Sequence, residues 1–244
     1  MPNIPKSHPR YESLRTRDLI AGGVEKGIAS IHGLIAHGRG EAFDYLIGEK
    51  TNDFAVKAIE VAAALLLAAK NPVISVNGNA AALVPKELAE LSNLLNCPIE
   101  VNIFHSSKQR EIKIKARLLE NGAKNVLLPE KDAILKYIDS NRKYINKNGI
   151  AKADVVFVPL EDGDRAEALV KNGKKVIAVD LNPMSRTAQK ATITIVDNIV
   201  RAMPLLIKTI KEYKNYGGKR LIRIKVNYRN KNTLEDALVL IRGL

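Results

Sequence analysis

The sequence predicts an α/β fold with a doubly wound, mostly parallel sheet and additional helices at both ends of the chain. Two observations lead to this prediction. Short apolar runs alternate with longer segments of helical periodicity through most of the chain, a pattern typical of parallel strands covered by helices on both faces. Apolar residues make up 46% of the chain and aromatic residues only 5%, with no Trp, so we expect a core of Ile, Val, Leu and Ala.

The first half of the chain predicts an N-terminal extension followed by alternating helices and strands. Residues 1–31 form this extension, a proline-punctuated arm that leads into a helix over 11–31. Pro85 suits the first position of a helix. In chain order, the predicted elements are a helix over 54–70, a strand over 72–76, a helix over 85–95, a strand over 99–104, a helix over 108–121 and a strand over 125–129.

The second half repeats this rhythm. Its predicted elements are a strand over 154–160, a helix over 164–171, strands over 175–180 and 192–196, and a helix over 198–213. Asp197 is the predicted N-cap of the last helix. Thr233 and Asp236 resemble a capping box, which predicts a helical tail over 218–244. We therefore expect one domain over 1–244, with terminal helices that pack on it or on a second subunit.

The charge balance predicts anionic partners. The chain carries 39 Lys and Arg against 26 Asp and Glu, a formal net charge of +13, which suits nucleic acid or small molecules with several negative charges. Basic residues are concentrated around 108–115 and 208–229 without an RGG tract and with little aromatic interleaving. Small polyanions are therefore preferred and no nucleic-acid partner is expected, although a solvated Lys-rich surface explains most of the excess.

Cysteine usage and hydropathy predict a cytoplasmic protein without a membrane partner. Cys97 is the single cysteine, so neither an internal disulfide nor a zinc cluster can form. The first residues contain no apolar segment. The most apolar run, 58–69, includes Glu60 and is too short to span a bilayer.

Four polar loops follow predicted strands, where open parallel sheets bind their ligands. Each loop alone is typical of a simple turn, but basic residues close behind them indicate a common anionic ligand. Asp180 could accept hydrogen bonds from a ribose, and a cap at Asp197 would leave the N–H groups of Asn198 and Ile199 free for an anion or a nucleobase. Neither a dinucleotide-binding glycine fingerprint nor a P-loop occurs. The basic residues behind the loops are Lys86, Arg165, Arg186 and Arg201.

The run His37, Gly38, Arg39, Gly40 allows two interpretations. Two glycines around an arginine can present backbone N–H groups and a guanidinium to a phosphate or carboxylate. A surface turn that uses glycine for positive φ angles would have the same composition, and for an isolated motif we prefer the turn. Asp162 and Asp164 could likewise hold Mg²⁺ bridged to phosphates, although a solvated acidic turn explains them as well.

Six colinear blocks resemble the archaeal phosphopantothenate synthetase family, the 4-phosphopantoate:beta-alanine ligases of coenzyme A biosynthesis. Residues 104–150 and the tail after 217 carry no recognisable family motif. The blocks are IPKSHPRYESL (4–14), GLIAHGRGEAFDYLIGE (33–49), NPVISVNGNAAALVPKE (71–87), ADVVFVPLEDGDRAEALV (153–170), and VDLNPMSRTA (179–188) with ITIVDNIVRAMP (193–204).

This resemblance implies a homodimeric, Rossmann-like enzyme with ATP as a substrate. The enzyme would adenylate the carboxylate of 4-phosphopantoate and release pyrophosphate, after which the amine of beta-alanine would displace AMP. The residues that the resemblance assigns to ATP are Arg17, Arg39, Asp180, Leu181, Asn182, Arg186, Thr187, Asn198 and Ile199.

The same resemblance suggests roles for the run at 37–40. Arg39 would clamp a phosphate, with Mg²⁺ helping to cancel the charge, and Gly38 and Gly40 would allow close backbone approach. His37 is a candidate for the base that takes a proton from the amine. Glu41 or Asp44 would orient neighbouring groups. No protein ligand for a metal is assigned.

Other classes of function remain as alternatives. A Rossmann-like dehydrogenase would use the same sheet and Asp180, but the glycine fingerprint it needs is missing. A nucleic-acid-binding protein would use the positive charge. A structural dimer would leave the Arg, Asn and Asp residues at the strand ends unexplained.

Overall fold

A six-stranded parallel sheet forms the centre of the computed structural model, which describes residues 4–104 and 107–243. The first three residues of the predicted arm and the last residue of the predicted tail lie outside the described residues. The strands are β1 (Pro72–Val76), β2 (Ile99–Val101), β3 (Val126–Leu127), β4 (Glu130–Ile134), β5 (Tyr144–Ile145), β6 (Val155–Pro159), β7 (Lys175–Val179) and β8 (Ile193–Ile195).

The strand order confirms the doubly wound prediction. The order is β3-β2-β1-β6-β7-β8, and every neighbouring pair in this sheet is parallel. The chain winds outward from β1 in one direction and from β6 in the other, so the topological switch point lies between these two strands. The antiparallel pair β4 and β5 forms a separate small sheet, which the sequence did not predict because β4 lacks apolar alternation.

The two faces of the sheet are covered by separate hydrophobic clusters. Alternate residues of each strand point to opposite faces. On one face, Ile74 and Phe157 contribute to the larger cluster, which includes side chains from several helices. On the other face, Val73 and Val156 join a smaller cluster with residues from the β4–β5 region. Both clusters are almost entirely aliphatic, as predicted.

Helices flank this sheet throughout the described chain. The first block comprises α1 (Tyr11–Glu25), α2 (Ile31–Leu46), α3 (Asp53–Leu67), α4 (Gly78–Leu83), α5 (Pro85–Leu95) and α6 (Lys108–Glu120). The second block comprises α7 (Gly163–Lys171), α8 (Arg186–Lys190), α9 (Ile199–Tyr213), α10 (Gly218–Val226) and α11 (Asn230–Ile241). No helix in 4–104 or 107–243 is long and apolar enough to cross a membrane.

The predicted helical tail packs against the body of the protein as two helices. Both α10 and α11 contact α3, and α11 also contacts the edge strand β8. Asn230 Oδ1 accepts a 2.7 Å hydrogen bond from the backbone N–H of Thr194 in β8. The capping-box prediction is wrong because Thr233 lies inside α11 and its hydroxyl contacts Tyr228. That 1–244 form a single domain stays a prediction.

Three other local predictions are wrong. The predicted turn at 37–40 lies inside α2, and the helix predicted over 11–31 ends at Glu25 as α1. The predicted cap Asp197 is replaced by Asn198, whose side chain accepts from the N–H of Val200. Asp197 instead binds Thr51 and Arg201, which lies four residues later and also pairs with Asp44.

Candidate active site

A cleft of about 1180 Å³ opens at the carboxyl end of the sheet. Asn77 follows β1, Glu161 follows β6 and Asp180 follows β7, and all three line the cleft. The cleft therefore lies at the switch point, where open α/β sheets bind their ligands. Helices α1 and α2 line the opposite side.

Most of the residues predicted to contact ligands meet in this cleft. Arg17 is the exception, because it does not line the cleft but pairs with Glu41, which does. The predicted residues that line the cleft are His37, Arg39, Asp180, Leu181, Asn182, Arg186, Thr187, Asn198 and Ile199. The structure thus brings α2 together with the loops after β7 and β8, three segments that are distant in the sequence.

Helix α2 forms despite its three glycines because a serine side chain caps its first turn and because residues of other segments pack against it. The Ser30 side chain caps the helix by accepting from the N–H of Gly33 at 3.1 Å. A Cβ at Gly33 would lie 2.2 Å from Oδ1 of Asn79, so a larger residue here would displace the Asn79 side chain. A Cβ at Gly38 would meet no atom within 4 Å, and one at Gly40 only a Leu181 methyl at 3.7 Å. Of the two glycines beside Arg39, Gly40 lines the cleft.

His37 and Arg39 offer two different groups to a ligand. Arg39 is exposed, and among the described residues it has no hydrogen-bond or ion-pair partner. His37 Nε2 is buried and also lacks a protein partner in the described chain. Burial lowers the pKa of His37, which favours the neutral imidazole. The cleft is therefore lined by the Arg39 guanidinium, which no described residue pairs, and by a neutral imidazole two residues before it on α2.

Glu41 joins α2 to α1. Its carboxylate accepts hydrogen bonds from Arg17 Nη2 at 2.7 Å, from Ser13 at 2.7 Å and from the Tyr45 hydroxyl at 2.6 Å. Burial alone would raise the pKa of Glu41, but these hydrogen bonds, led by those from Arg17, lower it to about 2. Glu41 thus connects Ser13 and Arg17 of α1 with Tyr45 of its own helix.

The loop after β7 is organised around Asp180. Its carboxylate accepts hydrogen bonds from the Ser185 hydroxyl and from the backbone N–H of Asn182 at 2.9 Å. Burial raises the pKa of Asp180 against the effect of these two donors. Asn182 in turn accepts from the N–H of Met184. Hydrogen bonds within the loop therefore fix the direction of the Asp180 carboxylate.

Two predicted residues extend from the start of α8. Thr187 donates to the backbone carbonyl of Glu161 at 2.7 Å, which ties α8 to the end of β6. Arg186 is exposed at the rim of the cleft and pairs with Glu167 at 2.5 Å. A Cβ at Gly163 would lie 2.4 Å from Cβ of Arg186, so this glycine lets α7 approach α8 closely.

The sequence did not identify Arg142, a buried arginine that lines the cleft. Arg142 forms ion pairs with Glu161 and, at 2.5 Å, with Asp162, and its Nε donates to Asn102 at 2.9 Å. It follows α6 and β4 in a part of the chain where no recognised motif occurs. No signal in the sequence distinguishes it from the many exposed basic residues nearby.

Two of the basic residues expected near the ligand lie elsewhere. Arg165 is fully buried beneath the cleft, where it binds Glu161 and the Ser75 hydroxyl. It lies one helical turn after Glu161, so this spacing favours pairing with that carboxylate over contact with a ligand. Lys86 lines a separate shallow groove between α5 and α9.

The carboxylates do not form a metal site made of protein ligands alone. Among residues 4–104 and 107–243, no group of three or more His, Cys, Asp and Glu side chains could hold a metal ion. Mg²⁺ commonly needs only one or two carboxylates when substrate phosphates supply further oxygens. Asp162 meets this requirement, since it lines the cleft with its side chain more than half exposed. Asp164 does not line the cleft.

A doubly wound sheet with a polar cleft at its switch point defines an α/β protein of the architecture to which many nucleotide-binding enzymes belong. Residues 54–243 match the model of the phosphopantothenate/pantothenate synthetase family. The chain belongs to this family, as the sequence motifs indicated. The match includes residues 104–150 and nearly all of the tail, where those motifs were absent.

Curated relatives align over almost the whole chain. The chain is 52% identical to a 4-phosphopantoate--beta-alanine ligase of Thermococcus kodakarensis, over 99% of this chain and 93% of that protein. It is 53% identical to the ligase of the same name from Thermococcus onnurineus, with the same coverage. The identity to the Methanosarcina mazei ligase is 50%, over 98% of this chain and 94% of that protein.

Proposed function

We propose that this chain is an ATP-dependent ligase that joins 4-phosphopantoate to beta-alanine and forms 4'-phosphopantothenate for coenzyme A biosynthesis. Its family membership supports this proposal, as do its sequence identities of 52% and 50% to two ligases of that name. The structural observation that carries it is the convergence of α2 with the loops after β7 and β8 on one cleft. These segments contain nearly all the residues that the resemblance assigns to ATP.

The charge of the cleft suits these substrates. ATP and a phosphorylated acid together bring about seven negative charges, whose mutual repulsion must be cancelled before they can react. Arg39 is available for this purpose because it has no carboxylate partner among the described residues. Other basic residues that line the cleft are Lys6, Arg10, Arg15, Arg110, Arg142, Arg186 and Arg201.

We place the nucleoside of ATP beside the loops after β7 and β8. The buried Asp180 carboxylate lies at the end of β7, where a ribose hydroxyl can donate to it, with Leu181 and Asn182 beside it. Asn198 caps α9 and its own N–H donates to Asp197, whereas Ile199 is the first residue of the helix and its N–H has no partner within the helix. We then assign Arg39, Arg186 and Thr187 to the phosphates of ATP. Arg17 is assigned to holding Glu41.

The proposed reaction has two steps. A carboxylate oxygen of 4-phosphopantoate attacks the α-phosphorus of ATP and pyrophosphate leaves, which gives the phosphopantoyl adenylate. The amine nitrogen of beta-alanine then attacks the acyl carbon, loses a proton and expels AMP. His37 is our candidate to take this proton, since its Nε2 has no partner in the described chain and its lowered pKa keeps the imidazole neutral.

Mg²⁺ fits this scheme as an ion that arrives with the nucleotide. Asp162 would supply a protein oxygen and Arg142 would hold that carboxylate in place. When bound, Mg²⁺ would neutralise part of the phosphate charge. The catalytic assignments to His37 and Arg39 do not depend on this ion.

We also propose that the enzyme is a cytoplasmic homodimer. Helix α2 exposes an apolar surface, on which Ile31, Ile35 and Leu46 are each more than half exposed. A second copy could cover this surface, as apolar patches on soluble proteins often mark interfaces. The location is supported by the single free cysteine, Cys97, which is typical of a reducing compartment.

The decisive experiment is to incubate the pure protein with ATP, Mg²⁺, 4-phosphopantoate and beta-alanine and to analyse all products. AMP formation that depends on the acid, together with 4'-phosphopantothenate, is the expected result. ADP with the same amide would replace the adenylate by an acyl phosphate. No turnover, combined with NAD(H) binding or with salt-dependent RNA binding, would overturn the proposal in favour of a dehydrogenase or a nucleic-acid-binding protein.

A further inference from the structure

Helix α2 is anchored through a buried charge. In this helix of 16 residues, all within the described chain, Asp44 is the only residue that is buried. An amphipathic helix is normally held by an apolar stripe, whereas the apolar residues Ile31, Ile35 and Leu46 of α2 are exposed. The position of α2 relative to the cleft therefore depends strongly on what binds Asp44.

Asp44 binds two residues of the α9 N-terminal region. Its Oδ1 accepts a hydrogen bond of 2.5 Å from Nη2 of Arg201. Its Oδ2 accepts one of 3.2 Å from Nη1 of Arg201 and one of 2.7 Å from the side-chain amide of Asn198. This two-pronged contact of a guanidinium with a carboxylate is a strong and geometrically specific interaction.

Arg201 also binds a second buried carboxylate. Its Nε and Nη2 donate to Oδ1 of Asp197 at 2.9 and 2.6 Å. The same Oδ1 accepts from the backbone N–H of Asn198 at 2.7 Å, and Oδ2 accepts from the Thr51 hydroxyl at 2.6 Å. Arg201 therefore joins α2 directly to the turn that contains Asn198. We call Asp44, Arg201 and Asp197 the α2 bridge.

The α2 bridge spans the two sides of the cleft. Arg39 and His37 line the cleft from α2, and Asn198 and Ile199 line it from the start of α9. A change of the α2 bridge would move these two groups of side chains relative to each other. Binding and catalysis are sensitive to displacements of about 1 Å between such groups.

We propose that Arg201 is a positioning residue, which sets the distance between α2 and the Asn198–Ile199 turn and so shapes the cleft for its nucleotide ligand. The identity of that ligand as ATP rests on the proposed function, whereas the mechanical role of the α2 bridge does not. Arg201 acts through Asp44 and Asp197, because both prongs of its guanidinium are already occupied by these carboxylates.

The test compares Arg201→Lys, Asp44→Asn and the double variant with the wild-type protein. Lysine keeps the charge but lacks the planar fork that reaches two carboxylates at once, so this variant is expected to fold. Hydrogen exchange of the ligand-free protein should become at least about tenfold faster in the second half of α2 while exchange in the sheet is unchanged. The dissociation constant for ATP should rise about tenfold in each single variant.

The double variant separates positioning from direct contact. If Arg201 and Asp44 act through one bridge, the double variant should bind ATP about as weakly as either single variant, because coupled residues are not additive. Lys211→Gln is the matched control, since Lys211 lies on the same helix and forms an exposed ion pair with Glu90. It should change neither exchange in α2 nor ATP affinity.

Two results would overturn the proposal. Wild-type exchange rates in α2 of both single variants would show that the α2 bridge does not hold the helix. Losses of ATP affinity that multiply in the double variant would show that Arg201 and Asp44 contact the ligand independently. Failure of the wild-type protein to bind ATP would refute the proposed function alone, since the exchange experiment needs no ligand.

Discussion

Arg142 and Glu161 form an ion pair in which both side chains are almost completely buried. Arg142 is part of the segment between β4 and β5, and Glu161 follows β6 at the switch point. Glu161 also binds Arg165, so two arginines share one carboxylate. Burial alone would raise the pKa of Glu161, but the charges of Arg142 and Arg165 lower it. The floor of the cleft is therefore a charged network with little access to water.

Breaking this network should cost far more stability than breaking a surface ion pair. We expect Arg142→Met to lower the free energy of unfolding by about 3 kcal/mol, because Glu161 loses one of its two buried cationic partners and keeps only Arg165. Urea unfolding followed by circular dichroism measures this change. Lys211→Met removes an exposed ion pair and should change the free energy by less than about 1 kcal/mol. Equal effects of the two substitutions would contradict this account.

Arg39→Ala should abolish turnover and leave the fold intact. The side chain is exposed and has no partner in the described chain, so its removal should change the free energy of unfolding by less than about 0.5 kcal/mol. Loss of a charge that stabilises the transition state typically lowers the rate by about 100-fold or more. Steady-state kinetics and thermal unfolding measure the two effects. Near-normal activity would remove the assignment of Arg39 to a phosphate.

Asp180→Asn should weaken ATP binding more than 4-phosphopantoate binding. Asparagine keeps the size of the side chain but exchanges one carboxylate oxygen for an amide that cannot accept a hydrogen bond. Titration calorimetry with each ligand separately measures the two dissociation constants. The opposite order of effects would mean that the loop after β7 binds the acid.

His37→Asn should slow amide formation and spare adenylate formation. ATP–pyrophosphate exchange in the presence of 4-phosphopantoate reports the first step, and 4'-phosphopantothenate release reports both. In the wild-type enzyme the rate of the second step should fall as acid protonates the imidazole, at a pH below the ordinary His range because burial lowers the pKa of His37. Equal loss in the two assays would argue against a role as base.

The buried Glu100 should make stability depend on pH. Its carboxylate accepts from the N–H groups of Asn146 and Ile150, but burial outweighs these bonds and the charge of Arg165, so its pKa rises from 4.5 to about 7. The folded protein thus holds this proton more tightly than the unfolded chain does. The stabilisation that this bound proton gives to the folded state is complete below pH 4.5 and is lost as the pH rises through about 7.

The matching measurement compares Glu100→Gln with wild type by urea unfolding at several pH values. The free energy of unfolding of the variant, measured relative to that of wild type, should increase by roughly 3 kcal/mol between pH 4.5 and pH 8. This value follows from the difference between the pKa of 4.5 and the pKa of about 7. A constant offset caused by the lost acceptor is expected at every pH. A difference that does not vary with pH would show that Glu100 has the same pKa in the folded and unfolded states.

The sheet was predictable because its strands are short, apolar and bounded by polar loops. In β1 and β6, residues such as Ile74 and Phe157 face one cluster while their neighbours face the other, so nearly the whole run is apolar. Once parallel strands are assumed, the loops after them must meet at one edge. That argument is sufficient to bring Asp180 and Asn198 into one cleft.

The prediction failed where long-range contacts decide local structure. Gly38 and Gly40 favour a turn locally, yet Glu41 and Asp44 fix the helix through arginines of other segments. Ser30 gave a usable signal for the start of α2, because serine is a preferred N-cap. The buried position of Arg142 depends on Glu161 and Asn102, and no local pattern encodes that contact.

The hydrogen bond from Thr194 to Asn230 also affects how the chain reaches its native state. Strand β8 borders the sheet, and an open strand edge can pair with other chains and cause aggregation. Asn230 follows Thr194 by 36 residues, so the edge stays unprotected on the ribosome until α11 has been synthesised. Variants that weaken the docking of α11 should therefore reduce the yield of folded protein in cells even where the chemistry of the cleft is untouched.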